Sequence, residues 1–216
     1  MKQEFNPTGF RARRLDPMDR YRNFAQLKNH EVESQDYRIR VREGDSGTVI
    51  LAPHGGRIER GTSQIAQAIV GDEHTFYAFE GLKPGLKSNR ALHITSNHFD
   101  EPIALAIVTR AERVIAIHGA KGMEAAIYLG GLELDLRAQL LESCRSKGFT
   151  ACDDPSPTRQ GNGANNICNR GQSGRGVQVE VTFGLRKRMF DRSARGTKWE
   201  QNRVFDRVVL CFSDVL

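Results

Sequence analysis

Apolar residues recur along this chain in two periods, which separates its segments into helices and strands. Tyr21, Phe24 and Leu27 fall at helical spacing, Tyr37, Ile39 and Val41 alternate with charged residues, and Val49-Ile50-Leu51-Ala52 is wholly apolar. A helix followed by two strands is the reading. Residues 62–70 predict a helix capped by Thr62 or Ser63, with Ile65, Ala66 and Ile69 on one face and Gly71 ending it. Strands are expected at 76–79 and 92–95, and a helix at 102–112, where Asp100, Glu101 and then Pro102 form an acidic, proline-led first turn. Residues 114–117 read as a short apolar strand, and 132–147 as a helix with Leu134, Leu136, Leu140 and Leu141 on one face. Val177 to Val181 returns to strand character, while Trp199, Val204, Val208 and Cys211 suggest a last helix over 199–212 that packs back on the sheet.

Alternation of this kind predicts an α/β domain whose mostly parallel or mixed sheet carries helices on both faces and places its site at the carboxyl ends of strands. Residues 1–20, with Pro7, Gly9, Arg11, Arg13, Arg14 and Pro17, keep no period and read as a basic, poorly ordered arm, leaving one domain over 21–216. Residues 153–176 are rich in Gly, Asn, Pro, Ser and Arg and predict a long irregular segment, a type often functional in compact domains.

Composition narrows the class. The 38% hydrophobic and 27% charged residues are ordinary for a globular chain, and no apolar run reaches the roughly 20 residues of a membrane span. The start, Met1-Lys2-Gln3-Glu4-Phe5, has no secretory apolar stretch, so a cytoplasmic protein is expected unless lysis releases it. Cys144, Cys152, Cys168 and Cys211 lack zinc-knuckle spacing and read as free thiols. A net charge of +6 and a pI near 9.3 favour polyanionic partners, nucleic acid or an acidic polymer.

The chemistry-bearing residues cluster after apolar strands. Pro53-His54-Gly55-Gly56 leads to Glu59 and Gly61-Thr62, and the two glycines let the chain turn so that His54 and Glu59 face one point. Ile117-His118-Gly119 repeats the motif of a polar residue and a glycine at a strand end. His54, Glu59 and His118 with an open fourth position form a catalytic zinc pattern; loop-end histidines and a glutamate capping a helix would meet the same spacing. Within Val177-Gln178-Val179-Glu180-Val181, Glu180 shares a face with Gln178, which suits either a general base near a metal or a solvated edge strand. Asn169 and Arg170, in Asn165-Asn166-Ile167-Cys168-Asn169-Arg170-Gly171, offer amide donors and a guanidinium for a substrate carboxylate or an oxyanion, or else an ordinary loop held by Asn turns. Arg90, His93, His98 and Asp100 form a fourth polar cluster, with Arg90, His93 and His98 as candidate substrate contacts.

Together these residues resemble the poly-gamma-glutamate hydrolase family over about residues 21–186. The resemblance rests on Ala52-Pro53-His54-Gly55-Gly56, Ile58-Glu59, Gly61-Thr62-Ser63, Phe79-Glu80-Gly81 and Leu92-His93-Ile94-Thr95-Ser96. It continues through His98-Phe99-Asp100-Glu101-Pro102, Ala116-Ile117-His118-Gly119, Gly130-Gly131-Leu132, the Asn165 to Gly171 run and Gln178-Val179-Glu180. That family looks like a compact relative of the zinc carboxypeptidases. It implies a single-domain, three-layer α/β/α sandwich with a mixed, open sheet, a Zn2+ held by His54, Glu59 and His118, and Glu180 as catalytic glutamate. Two features depart from the larger carboxypeptidase pattern: four residues separate the first ligand pair instead of two, and the Asn-Arg pair follows the second histidine.

The function so implied is zinc-dependent hydrolysis of the γ-glutamyl amide bonds of poly-gamma-glutamate, with Arg170, Arg90 or His98 holding carboxylates along the polymer. The same chemistry on a small acidic amide is one alternative. Another class, nucleic-acid binding, is prompted by Arg11, Arg13, Arg14 and the run Arg186, Lys187, Arg188, Arg192, Arg195, Lys198, but no DNA-binding motif or interleaved aromatics accompany it. A monomer is the default expectation.

Overall fold

A computed structural model describes residues 19–193 and 199–216. Strands β1 (Tyr37–Arg42), β2 (Thr48–Gly56), β3 (Thr75–Gly81), β4 (Arg113–His118), β5 (Ala126–Gly131), β6 (Thr150–Asp153) and β7 (Val177–Val181) form one sheet in the order β1-β3-β2-β4-β7-β5-β6. The central β3, β2, β4 and β7 run parallel, β1 lies antiparallel on β3, and β5 lies antiparallel on β7 and parallel to β6. The sheet is therefore mixed and open. Its central strands are buried on both faces, which is why β2 reads as a continuous apolar run without alternation.

Helices α2 (Thr62–Ile69), α5 (Leu134–Ser146) and α7 (Arg203–Ser213) cover one face, where Ile65, Leu140 and Phe205 meet Ile50, Ile117 and Val179. The other face takes α1 (Phe24–Lys28), α4 (Pro102–Val108) and a 3-10 turn at Ile167–Arg170, which pack Phe24, Ile107 and Ile167 with Leu51 and Ala116. Neighbouring strand residues point to opposite cores, so three layers follow from the period-two geometry of β2 and β4. Short helices α3 (Leu86–Arg90) and α6 (Phe183–Arg188) complete the domain, and β8 (Phe190–Arg192) pairs with β9 (Trp199–Gln201) in a separate ribbon.

Several expectations are corrected. Residues 92–95 alternate as expected, with Leu92 and Ile94 fully buried, yet they form no strand. Side chains satisfy their backbone instead: the Asp19 carboxylate accepts from Thr95 N at 2.7 Å, and the Ile94 carbonyl faces His54 Nε2 at 2.8 Å. Helix α2 is entered through Gly61 at φ 97°, which puts Thr62 and Ser63 in its first turn and not at its cap. Helix α4 stops at Val108, because the chain turns so that Glu112 N can donate to Gly47 O at 2.9 Å and enter β4. Trp199 lies on β9 under the Arg192 guanidinium, and α7 begins only where Asn202 accepts from Val204 N and Phe205 N. Strands β5 and β6 and helix α6 were not anticipated; Gly130, Gly131 and the shortness of β6 hide them from pattern reading.

Residues 1–18 of the proposed arm, Arg195 and Lys198 lie outside the described residues; of the arm's last two residues, Asp19 is part of the fold, with its side chain fully buried, and Arg20 is exposed over the Tyr21 ring. Among the described residues no helix is long and apolar enough to cross a membrane, and all four cysteines are free.

The α4 entrance provides a stability test. Buried Glu101 accepts from Ile103 N at 3.1 Å, Ala104 N at 2.8 Å and the Tyr77 hydroxyl at 2.9 Å. Replacing it with Ala removes a helix cap and strands a buried hydroxyl, which costs about 2–4 kcal/mol, whereas Gln keeps an acceptor and costs less. Urea unfolding of the two variants measures the difference.

Candidate metal centre

The site begins with a local irregularity in β2. Its pairing with β3 slips in register between Ala52 and Gly55, so the Pro53-His54 peptide bulges from the ladder and re-aims the histidine. Gly55 admits no side chain, since a Cβ there would lie 2.1 Å from Ser63 Oγ. Ser63 Oγ in turn accepts from Gly56 N at 3.0 Å, while Glu59 N donates to His54 O at 2.9 Å and Thr62 Oγ1 donates to Glu59 O at 2.9 Å. The loop is thus closed on itself, and His54 and Glu59 are held side by side.

The carboxyl ends of β4 and β7 bring the remaining residues. His118 stands opposite Glu180 in the β4–β7 register. Its Nδ1 is 3.1 Å from His54 Nδ1 and 3.8 Å from Glu59 Oε2, and His54 Nδ1 is 3.4 Å from Glu59 Oε1. A carbonyl only accepts, so Ile94 O fixes the proton of His54 on Nε2 and leaves Nδ1 facing the cluster. Two imidazole nitrogens facing each other and the two oxygens of one carboxylate repel unless a cation, proton or metal ion, sits among them. Donors bound to zinc at about 2.0–2.1 Å in a tetrahedron lie roughly 3.3 Å apart, which this spacing matches.

Glu59 also accepts from Gly119 N through Oε2 at 2.8 Å. Gly119 is required because buried Arg186 fills the space beside it, where a Cβ would come 2.6 Å from the guanidinium carbon. Arg186 donates to the carbonyls of Val181, Arg60 and Ala120, bracing the loops around the site. It is therefore not part of an exposed basic surface.

Burial favours the neutral form of each group, and the charges present decide the outcome. For His54, burial lowers the pKa but the Glu59 carboxylate outweighs it, and the net shift is upward. Burial raises Glu59, yet the neighbouring histidines, His54 first, hold it at about 2. Burial and then the His54 charge push His118 down to about 3. Glu180 rises well above the carboxylate range through burial and the Glu59 charge, against the pull of Arg159. Because β7 lies between β4 and β5, the solvated-edge alternative for Glu180 does not apply.

His93 comes close as well. Its ring is centred 4.0 Å from that of His54, and donor atoms of His54, Glu59 and His93 lie within 4.8 Å of one another. Its Nδ1 is held by Asp19 Oδ1 at 2.6 Å. The other candidates are dispersed. Arg90 is exposed at the end of α3, and His98 Nδ1 is buried with no partner among the described residues. Asn169 spends its amide on the loop, donating to Gly161 O and Gly163 O and accepting from Leu132 N and Gly176 N. Arg170 precedes Gly171 and Gln172, which pack against Ala111 and Val114 at the opening of β4, about 13 Å along the strand from His118.

Sequence reasoning missed Asp154 and Arg159. Gln178 Nε2 donates both to Glu180 Oε1 at 3.2 Å and to Arg159 O at 2.7 Å, which brings the irregular segment to Glu180. Their only sequence signal is an acid and an arginine five residues apart in a proline-rich turn.

Comparison with known proteins gives the family and the fold. A family model described as poly-gamma-glutamate hydrolase matches residues 21–211, a span containing His54, Glu59, His118 and Glu180. Protein YndL of Bacillus subtilis (strain 168) is 41% identical over 176 residues, 80% of this chain and 67% of YndL. The SPbeta prophage-derived protein YoqZ of the same organism is 35% identical over 204 residues, 93% of this chain and 71% of YoqZ. Among solved structures, a bacteriophage poly-gamma-glutamate hydrolase superimposes with a TM-score of 0.85 at 29% identity, covering 91% of this chain and 96% of that one. A zinc-free apo form of YndL gives a TM-score of 0.82 at 37% identity, with coverage of 91% and 96%.

The raised pKa of Glu180 has a consequence for stability. A carboxyl whose folded pKa exceeds its unfolded value of about 4.3 favours folding below that value, and the contribution is lost as pH rises through the folded pKa. Glu180→Gln should therefore stabilise the metal-free protein at neutral pH, a gain that vanishes below about pH 4. Denaturant unfolding in chelator at the two pH values gives the sign directly.

Proposed function

The chain belongs to the poly-gamma-glutamate hydrolase family, and from that membership we propose that it hydrolyses the amide joining the γ-carboxyl of one glutamyl unit to the nitrogen of the next. In this reading His54, Glu59 and His118 hold a zinc ion and Glu180 is the general base. The observation that carries it is the convergence of His54, Glu59 and His118 donors at 3.1–3.8 Å, with buried Glu180 directly across the β4–β7 pair from His118. YndL having been described in a zinc-free form supports zinc as the ion.

A zinc ion bound there supplies Lewis-acid polarisation of the amide carbonyl and acidifies water. The chain's own residues do the rest. Glu180 Oε takes a proton from the water that attacks the carbonyl carbon and delivers it to the amide nitrogen as that nitrogen leaves. Its upward-shifted pKa makes it a stronger base than a solvated carboxylate, and the Glu59 charge beside it is part of the cause. Gly119 N and the histidines keep Glu59 ionised, so that it remains a ligand and does not compete for the proton. A net charge of +6 raises the local concentration of a polyanionic chain, an effect that weakens with salt.

The reading is tested on purified poly-gamma-glutamate, by following its size distribution. Zinc-loaded protein should shorten the polymer, chelation should stop cleavage, and added zinc should restore it. Glu180→Gln should retain stoichiometric zinc while its rate falls about 10²–10⁴-fold. Zinc analysis of His118→Ala and His93→Ala separates the two possible donor sets, with loss of metal expected only in the first. An intact polymer in the presence of bound zinc would sink the polymer reading and move the substrate to a small acidic amide.

A further inference from the structure

The irregular segment between β6 and β7 carries a charged pair that hydrolysis as described leaves unused. Asp154, its side chain fully buried, accepts from Arg159 Nε through Oδ2 at 3.0 Å and from Nη2 through Oδ1 at 3.0 Å. This two-pronged contact occupies one edge of the guanidinium. Of its five N–H groups two are used here, and none of the described residues accepts from Nη1. The plane is also fixed from below, since Arg159 Cζ lies 5.8 Å from the centre of the Tyr128 ring, and Tyr128 stands opposite Glu180 in the β5–β7 register. Gln178 completes the link by donating from one amide to both Arg159 O and Glu180 Oε1. A third of the Arg159 side chain remains exposed while Asp154 is sealed, so an incoming ligand meets the cationic member of the pair.

We propose that Arg159, held by Asp154 and Tyr128, receives the free α-carboxylate of the glutamyl unit on the leaving side of the scissile amide. The proposal rests on the poly-gamma-glutamate reading and deepens it. In a γ-glutamyl amide the leaving nitrogen is bonded directly to the carbon that bears the next unit's α-carboxylate. The group that protonates this nitrogen therefore has that carboxylate as a close neighbour; Gln178 ties the backbone carbonyl of Arg159 to Glu180, and the Arg159 guanidinium lies over Tyr128, the residue opposite Glu180, close enough for its charge to act on that carboxyl. A planar fork with a free edge matches a carboxylate better than a point charge would. Asp154 serves a second end: it offsets the guanidinium's field at Glu180, so a cation can stand beside the base without abolishing its basicity. Arg170, the arginine singled out in the sequence for this task, belongs to a segment anchored at the far end of β4.

The test compares short γ-glutamyl oligomers with the same oligomers carrying α-carboxamides, using zinc-loaded wild type, Arg159→Gln and Arg159→Lys, with zinc content and thermal melting recorded for each. The readout is the ratio of kcat/KM on the acidic substrate to that on the neutral one. Arg159→Gln should lower this ratio roughly 10–100-fold, mainly through KM on the acidic substrate, and Lys should recover part of the loss. A ratio that stays at the wild-type value, even if both rates fall, would show that Arg159 only supports the loop and overturns the inference. Failure of the wild type to cleave any γ-glutamyl amide would instead bring down the substrate reading on which the inference stands.

Discussion

Glu59 and Glu180 place two carboxylates in one buried site, and the neighbouring residues answer their mutual repulsion. Glu59 is compensated: His54, His118 and the Gly119 amide all face it, and it stays ionised. Among the described residues Glu180 has only the amide of Gln178 as a direct partner and the more distant Arg159 charge, so it bears the strain as a raised pKa. One carboxylate is thereby suited to hold a cation and the other to move a proton. The division comes from environment alone, since the two side chains are chemically identical.

The fold supplies this arrangement through the parallel alignment of β2, β4 and β7, which end at the same edge of the sheet. Parallel strands bury both faces, so the residues at their ends are the first that can be polar without breaching a core. Glycines then allow close approach. Gly55 lets Ser63 close the β2 turn, and Gly119 makes room for Arg186, whose guanidinium ties the carbonyl at the end of β7 to two loop carbonyls. Arg186 thus contributes as a brace with its charge buried, although in the sequence it opens a run of surface-like cations.

The segment from 153 to 176 folds around polar side chains in place of an apolar core of its own. Asn169 binds four backbone groups, Asn166 donates to Gln178, and Asp154 grips Arg159. An asparagine amide both donates and accepts, and for that reason it can staple a loop as readily as it can bind substrate. The same ambiguity explains how Asn169 and Arg170 attracted attention as ligand contacts. The choice between these uses depends on which backbone groups lie nearby.

The sequence by itself determined the α/β class and most of the central strands, because buried strands leave local signals, and it singled out His54, Glu59, His118 and Glu180, which the fold brings together around the ends of β2, β4 and β7. It could not show β5 and β6, whose short and glycine-containing runs become strands only when paired with β7 and with each other. Nor could it separate residues 92–95 from a strand, since alternation reports which side chains are buried and not what their backbone bonds. Tertiary structure alone decided that Asp19 reaches across the chain to His93, that Asn169 closes a loop, and that Gln178 ties the carbonyl of Arg159 to Glu180. Each depends on residues distant in sequence meeting at one place, and local composition holds no record of that meeting.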